Sequence, residues 1–128
     1  MSQDLGYPWF FAFLFTQAVE VPIYVYGART RWDEGFCASA ITHPIVWFVI
    51  PQAFDRAYLS ICAPHEALWM TDGHRYWLMV VLAETFAVLV EGRYLRWLDK
   101  ADPYRWSLIA NMASVALGLT SRAIFGVP

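Results

Sequence analysis

The sequence is poor in charged residues. Only 16% of its 128 residues are Asp, Glu, Lys or Arg, whereas soluble domains average about 25%. The formal net charge is −2, so the chain has no excess of basic residues that would form a nucleic-acid interface. Hydrophobic residues make up 59% of the chain and aromatic residues 18%. We therefore expect residues 1–128 to form a single integral membrane domain, with lipids and not nucleic acid as its surroundings.

The sequence also lacks the short motifs of common catalytic sites. It contains no H-E-x-x-H, no phosphate-binding glycine loop, no G-x-S-x-G and no C-x-x-C. The two cysteines, Cys37 and Cys62, are predicted to lie near opposite membrane faces, so we expect no disulfide between them. These absences disfavour thiol redox chemistry and c-type haem attachment, and no familiar motif points directly to a reaction.

Long apolar runs predict the fold class. About 20 mostly apolar residues are needed to cross a bilayer as a helix. Runs of this kind predict four spans, at about residues 8–27, 36–54, 76–98 and 104–125. The predicted fold is therefore an all-α integral membrane protein, a four-transmembrane-helix bundle. Its longest connection is external, between helices 2 and 3, and the sequence leaves open whether an interfacial or re-entrant helix lies there.

The distribution of basic residues predicts the orientation. Four spans place both termini on one side of the membrane. The links between spans one and two and between spans three and four contain more basic residues than the other side, and the positive-inside rule places such links in the cytoplasm. We therefore predict a plasma (inner) membrane protein with both termini outside the cytoplasm. The basic residues at the two sides are Arg29, Arg31, Arg93, Arg96, Lys100 and Arg105 against Arg56, Arg75 and Arg122.

Two glutamates interrupt the third predicted span. Glu84 and Glu91 are seven residues apart, close to two helical turns, so they share one helix face about 10 Å apart. An ionisable group at this depth costs at least about 2.5 kcal/mol. We therefore expect this face to be turned away from lipid and toward the other helices. An alternative role for Glu91 is an ion pair with Arg93 or Arg96 near the interface.

Each predicted span carries one polar residue at a similar depth. Glu20, His43, Glu91 and Asn111 each lie six or seven residues from the cytoplasmic end of their span, which places all four about 10 Å into the membrane. Carboxylates and an imidazole suit Zn, Mn or Fe. We therefore predict a divalent-metal site with Glu20, His43 and Glu91 as ligands. The residues expected to orient these ligands are Gln17, Thr42, Asn111 and Ser114.

Three classes of function are compatible with this pattern. The favoured hypothesis is a membrane-embedded metalloenzyme that acts on a lipid or a membrane-inserted substrate, with Glu84 as the catalytic general acid or base. The second is a small proton-coupled transporter or cation pathway that uses the same acids and requires a homodimer to enclose its path. The third is an accessory or structural membrane subunit, whose polar layer fixes the helix register. The metal hypothesis ranks first because a histidine shares the depth of the carboxylates.

Overall fold

The structure is a computed structural model that describes residues 6–62 and 72–126. Within these ranges the protein is helical and contains no strand, so the prediction of an all-helical fold is confirmed for the described residues. The elements are α1 (Gly6–Tyr26), α2 (Trp32–Pro44), a π-helical turn (Ile45–Val49), α3 (Ile50–Cys62), α4 (Asp72–Trp97) and α5 (Pro103–Phe125).

The second predicted span is longer than its apolar run indicated. Here α2, the π turn and α3 follow one another without a break from Trp32 to Cys62. Pro44 has no N–H to donate and its ring crowds the preceding turn, and the chain responds with a wide turn instead of a helix end. The predicted connection therefore begins only after Cys62, and residues 63–71 lie outside the described part of the chain.

Three helices are long and apolar enough to cross a membrane: Pro8–Tyr26, Trp32–Ile61 and Pro103–Phe125. This finding is consistent with a membrane protein. The helix Trp32–Ile61 contains 30 residues. Its length is about 45 Å at 1.5 Å per residue, so it exceeds the thickness of the hydrocarbon core, roughly 30 Å. Helix α4 has 26 residues but carries Glu84, Glu91 and several arginines, and it is not among these three.

We call α1, the continuous helix formed by α2, the π turn and α3, α4 and α5 the four rods. They form a ring in which each rod packs against two neighbours. Helix α1 contacts α2 and α5, and α4 contacts the same two helices. Two short links, residues 27–31 and 98–102, lie at one end of the ring, which we call the link end. The opposite end, where α1 and α4 begin and α5 finishes, is called the far end.

The link end is closed by tight packing. Tyr24, Leu95 and Ala110 are completely buried there. Two glycines allow the helices and aromatic rings to approach closely. A Cβ on Gly27 would lie 2.3 Å from a ring carbon of Trp106, and one on Gly92 would come equally close to the Tyr104 ring.

Lys100, in the α4–α5 link, contacts both α2 and the α1–α2 link. The Lys100 Nζ lies 3.0 Å from a carboxylate oxygen of Glu34 and donates to the Arg29 carbonyl at 3.3 Å. The same Glu34 oxygen accepts the Arg31 backbone N–H at 2.9 Å, which caps the start of α2. The lysine therefore connects the α4–α5 link to the α1–α2 link.

Candidate functional site

Glu91 lies at the centre of the bundle and is only 1% exposed. Its carboxyl group accepts hydrogen bonds from three other helices: from the Tyr24 hydroxyl on α1, from Thr42 Oγ1 on α2 at 2.5 Å and from Asn111 Nδ2 on α5 at 2.7 Å. All three partners are neutral groups. A single α4 carboxyl group thus joins all four rods.

Glu20 is the second buried acid, at 2% exposure. Ser114 Oγ donates to its Oε1 at 2.6 Å, whereas its Oε2 has no hydrogen-bond partner among the described residues. Gln17, one turn earlier, donates to Ser39 Oγ at 2.9 Å. The side chains of α1 predicted to face the bundle interior therefore contact α2 and α5.

His43 is also buried, at 7% exposure, but its surroundings are aromatic. Its ring centre lies 5.2 Å from that of Phe13, 6.0 Å from Trp47 and 6.1 Å from Trp9. The Nε2 atom has no hydrogen-bond partner within the described part of the chain. The imidazole therefore packs against aromatic side chains, and no hydrogen bond between it and a carboxyl group is seen among the described residues.

The predicted metal-ligand set is not assembled in this arrangement. Across residues 6–62 and 72–126, no group of three or more His, Cys, Asp or Glu side chains is placed to hold a metal ion. The physical reason lies in the partners of each side chain. The oxygens of Glu91 accept from a phenol, a hydroxyl and an amide, while His43 stacks in its aromatic cluster.

Among residues 6–62 and 72–126, no cationic side chain is seen in an ion pair with the buried acids. The ion pairs seen between described residues are Arg31–Asp33, Lys100–Glu34 and those of Arg75 with Asp55 and Asp72. None of them involves Glu20, Glu84 or Glu91. The alternative role of Glu91 as an ion-pair partner of Arg93 or Arg96 is therefore not seen. In apolar surroundings a carboxyl group without a cation must bind a proton or a cation from elsewhere.

A cavity of about 420 Å³ connects these acids to the far end of the bundle. It begins at Tyr76 and Arg122, which are both exposed, and reaches inward to Glu91 and Asn111. Along α4 this is a distance of about 22 Å. None of the lining residues comes from the links, so the cavity ends where the packed link end begins.

The cavity wall is mostly apolar and carries three carboxyl groups. Phe15, Trp47 and Met79 line it, together with Glu20 and the two acids of α4. Glu84 is half-buried and lies between the mouth and the floor, about 12 Å along the axis from Tyr76 and about 10 Å from Glu91. The three acids therefore form a column that leads from the far end to the centre.

Two further residues of the site were not predicted. Tyr24 donates to Glu91 and is completely buried. Ser39 accepts from Gln17 through its hydroxyl, and its carbonyl oxygen lies 3.1 Å from Thr42 Oγ1. Tyr24 lies four residues after Glu20, on the same helix face, and this spacing was the signal that could have identified it. Ser39 carried no comparable signal, since a small residue in a span most simply indicates close packing.

Comparisons with protein-family models, with curated proteins and with solved structures return no match to this chain. The arrangement itself therefore has to indicate the chemistry. Buried acids without cations, on a cavity that is closed at one end, are suited to proton binding and to exchange of protons with a solute in the cavity.

Proposed function

We propose that this chain is a small proton-coupled transporter, in which Glu20 and Glu91 carry the exchanged protons and the cavity receives the cargo. One observation carries the proposal: two buried acids, without an ion-pair partner among the described residues, lie on a cavity whose lining extends to the far end and includes no residue of the links. Each acid needs a proton or a cationic solute to balance its charge. Competition between these two for the same carboxyl oxygens would couple their movements.

The transporter proposal includes a fourth membrane crossing by α4. Its acids line the internal cavity, whereas Val81, Leu82 and Leu89 on its other faces are about half exposed. An apolar outer face with an ionisable inner face is the pattern of a membrane helix that borders a polar pathway. The basic links would then lie in the cytoplasm and the cavity would be entered from outside.

Glu84 would pass protons between the mouth of the cavity and the two deeper acids. Its position between Tyr76 and Glu91 supports this role, because no other carboxyl group of the described residues lines that part of the cavity. A homodimer would complete the enclosure of the path within lipid. The large apolar side chains exposed around the bundle are compatible with both lipid and a second copy.

Proton flux in proteoliposomes tests the proposal. Purified protein is reconstituted with an internal pH dye, a pH gradient is imposed, and Na⁺, K⁺ and small alkylammonium ions are added in turn as probes. We expect one of these probes to drive proton movement through the parent protein. Glu20→Gln and Glu91→Gln should abolish that movement, since each keeps the side-chain shape but cannot exchange a proton.

Asp33→Asn is the matched control, because Asp33 is an exposed carboxylate near the link end. It should leave the flux at the parent rate. Parent-like flux in both Gln variants would contradict the proposal.

The metalloenzyme predicted from the sequence stays a prediction, and elemental analysis of the purified protein for Zn, Mn and Fe tests it separately.

A further inference from the structure

Two hydroxyl groups stand in the same position relative to the two buried acids. Thr42 Oγ1 lies 2.5 Å from Glu91 Oε1 and 3.1 Å from the carbonyl oxygen three residues earlier in its own helix. Ser114 Oγ lies 2.6 Å from Glu20 Oε1 and 3.0 Å from the corresponding carbonyl oxygen of α5. Each hydroxyl therefore bridges a carboxyl group of one helix and a backbone carbonyl of another.

This geometry permits two arrangements of hydrogen atoms. A hydroxyl has one hydrogen to donate and two lone pairs that accept. If the acid is ionised, the hydroxyl donates to the carboxylate. If the acid is protonated, its O–H donates to the hydroxyl, and the hydroxyl donates to the backbone carbonyl. Both arrangements keep the acid and its hydroxyl hydrogen-bonded, which matters because an unpaired buried polar group is costly.

The other oxygen of Glu91 meets a donor that cannot reverse its role. Asn111 Nδ2 contacts Glu91 Oε2 at 2.7 Å and the Ser107 carbonyl at 2.9 Å. Both contacts are acceptors, so the amide nitrogen must lie between them and donates one hydrogen to each. Tyr24 also contacts Oε2, and its hydroxyl can donate there. Because the amide always donates to Oε2, we place the proton of Glu91 on Oε1, opposite Thr42.

In Glu20 the division of roles is different. Its Oε1 faces Ser114, while its buried Oε2 has no partner among the described residues, and the side chain lines the cavity. A proton on Oε1 would be held by Ser114, and Oε2 would remain available to a solute or to water in the cavity. Of the two deeper acids, Glu20 thus keeps one oxygen without a protein partner among the described residues, and Glu91 is the one enclosed by protein.

We propose that Thr42 and Ser114 are positioning residues that keep Glu91 and Glu20 hydrogen-bonded in both protonation states, so that each acid loads and releases its proton without a backbone movement. This inference rests on the proposed transport function and specifies how the same site changes its protonation. Among the described residues, the ionisable groups that face the pair or line its cavity are Tyr24 on α1, His43 on α2, Glu84 on α4 and, at the cavity mouth, Tyr76 on α4 and Arg122 on α5.

Infrared difference spectroscopy during a pH titration tests the inference. The carbonyl band of protonated carboxylic acid in the purified protein is assigned by its loss in Glu91→Gln and Glu20→Gln. Thr42→Val keeps the shape of the side chain but removes the hydroxyl. Because hydrogen bonds to an ionised group are stronger than those to a neutral one, we expect the Glu91 band to titrate at higher pH, by about one unit, which is tenfold in proton affinity.

Ser114→Ala should have the same effect on the Glu20 band. Thr42→Ser and Ser114→Thr keep the hydroxyl, so their bands should titrate as in the parent, which a purely structural role of these side chains would not require. Parent-like titration in both Thr42→Val and Ser114→Ala would overturn the inference. Proton flux separates the two proposals. Shifted infrared bands, together with no flux in the parent or in any variant, support the inference about Thr42 and Ser114 and contradict transport. Flux that requires Glu20 and Glu91 but is unchanged in Thr42→Val and Ser114→Ala, with unshifted bands, supports transport and contradicts the inference.

Discussion

The link end and the far end of the bundle use the same helices in opposite ways. At the link end, Leu95 and Ala110 are completely buried and the Gly27 backbone meets the Trp106 ring. At the far end the same rods surround a cavity of about 420 Å³ that carries three acids. The same helices are therefore tightly packed at one end and separated by a cavity at the other. Small residues at helix contacts permit close approach and strong packing, and the π turn widens α2 where the cavity passes it.

The largest effect on this comparison should come from removing packing at the closed end. Leu95→Ala leaves a void at a completely buried position, and such substitutions typically cost 2–5 kcal/mol. We expect a loss of about 3 kcal/mol in the free energy of unfolding, measured by thermal or denaturant unfolding in detergent. Leu89→Ala, on the same helix but 55% exposed, is the matched control and should cost less than about 1 kcal/mol. Equal losses would show that the link end is not packed as described.

A methyl group added to a glycine should distinguish the two ends next. The Cβ of Gly27→Ala would lie 2.3 Å from the Trp106 ring and 2.7 Å from the Ile23 carbonyl oxygen, so the ring must shift. We expect this variant to lose about 2 kcal/mol of stability, as overpacking generally does. At Gly118, beside the cavity, the nearest contact of an added Cβ is Phe15 at 3.9 Å.

Gly118→Ala should therefore be neutral or stabilise the protein by up to about 1 kcal/mol, because alanine favours the helix. Unfolding of both variants under the same conditions provides the comparison. A loss at Gly118 as large as that at Gly27 would contradict the assignment of open space to the far end.

The smallest effect should come from the ion pair between the α4–α5 link and the start of α2. Lys100 and Glu34 are each about one-fifth exposed, and ion pairs near the surface contribute about 0–1 kcal/mol. We expect Lys100→Met to lower stability by less than about 1 kcal/mol, with a smaller difference in high salt because screening weakens the pair. Glu34→Gln retains an acceptor for the Arg31 N–H and isolates the charge in a double-mutant cycle. A non-additive loss well above 1 kcal/mol would make this ion pair a main determinant of closure.

Much of the layout follows from spacing along the chain. Counting residues from the ends of the apolar runs places Glu20, Glu91 and Asn111 at one depth, and in the structure Glu20 and Glu91 line one cavity with Asn111. The end of the second rod was harder to predict. Asp55 and Arg56 interrupt the apolar run, yet the helix continues to Cys62, because a helix satisfies its own backbone hydrogen bonds whether lipid or water surrounds it.

The partners of each polar side chain were the least predictable part. His43 shares the depth of the acids, but its neighbours are Phe13 and Trp47. Depth depends on residue count along one helix, whereas direction depends on how the helices rotate and cross. Rotation by a fraction of a turn decides whether an imidazole meets a carboxylate or an aromatic ring, and no local pattern encodes that angle.

The sequence by itself determined that the described chain is helical, with three helices apolar enough to span a membrane, and the spacing of the polar residues along each helix, since these depend on composition and on 1.5 Å per residue. Only the tertiary structure decided that Glu91 accepts from three helices, that one oxygen of Glu20 has no partner among the described residues, and that the cavity is closed at the link end. Those features arise from side chains far apart in the chain, and their contacts are set by the packing of whole helices.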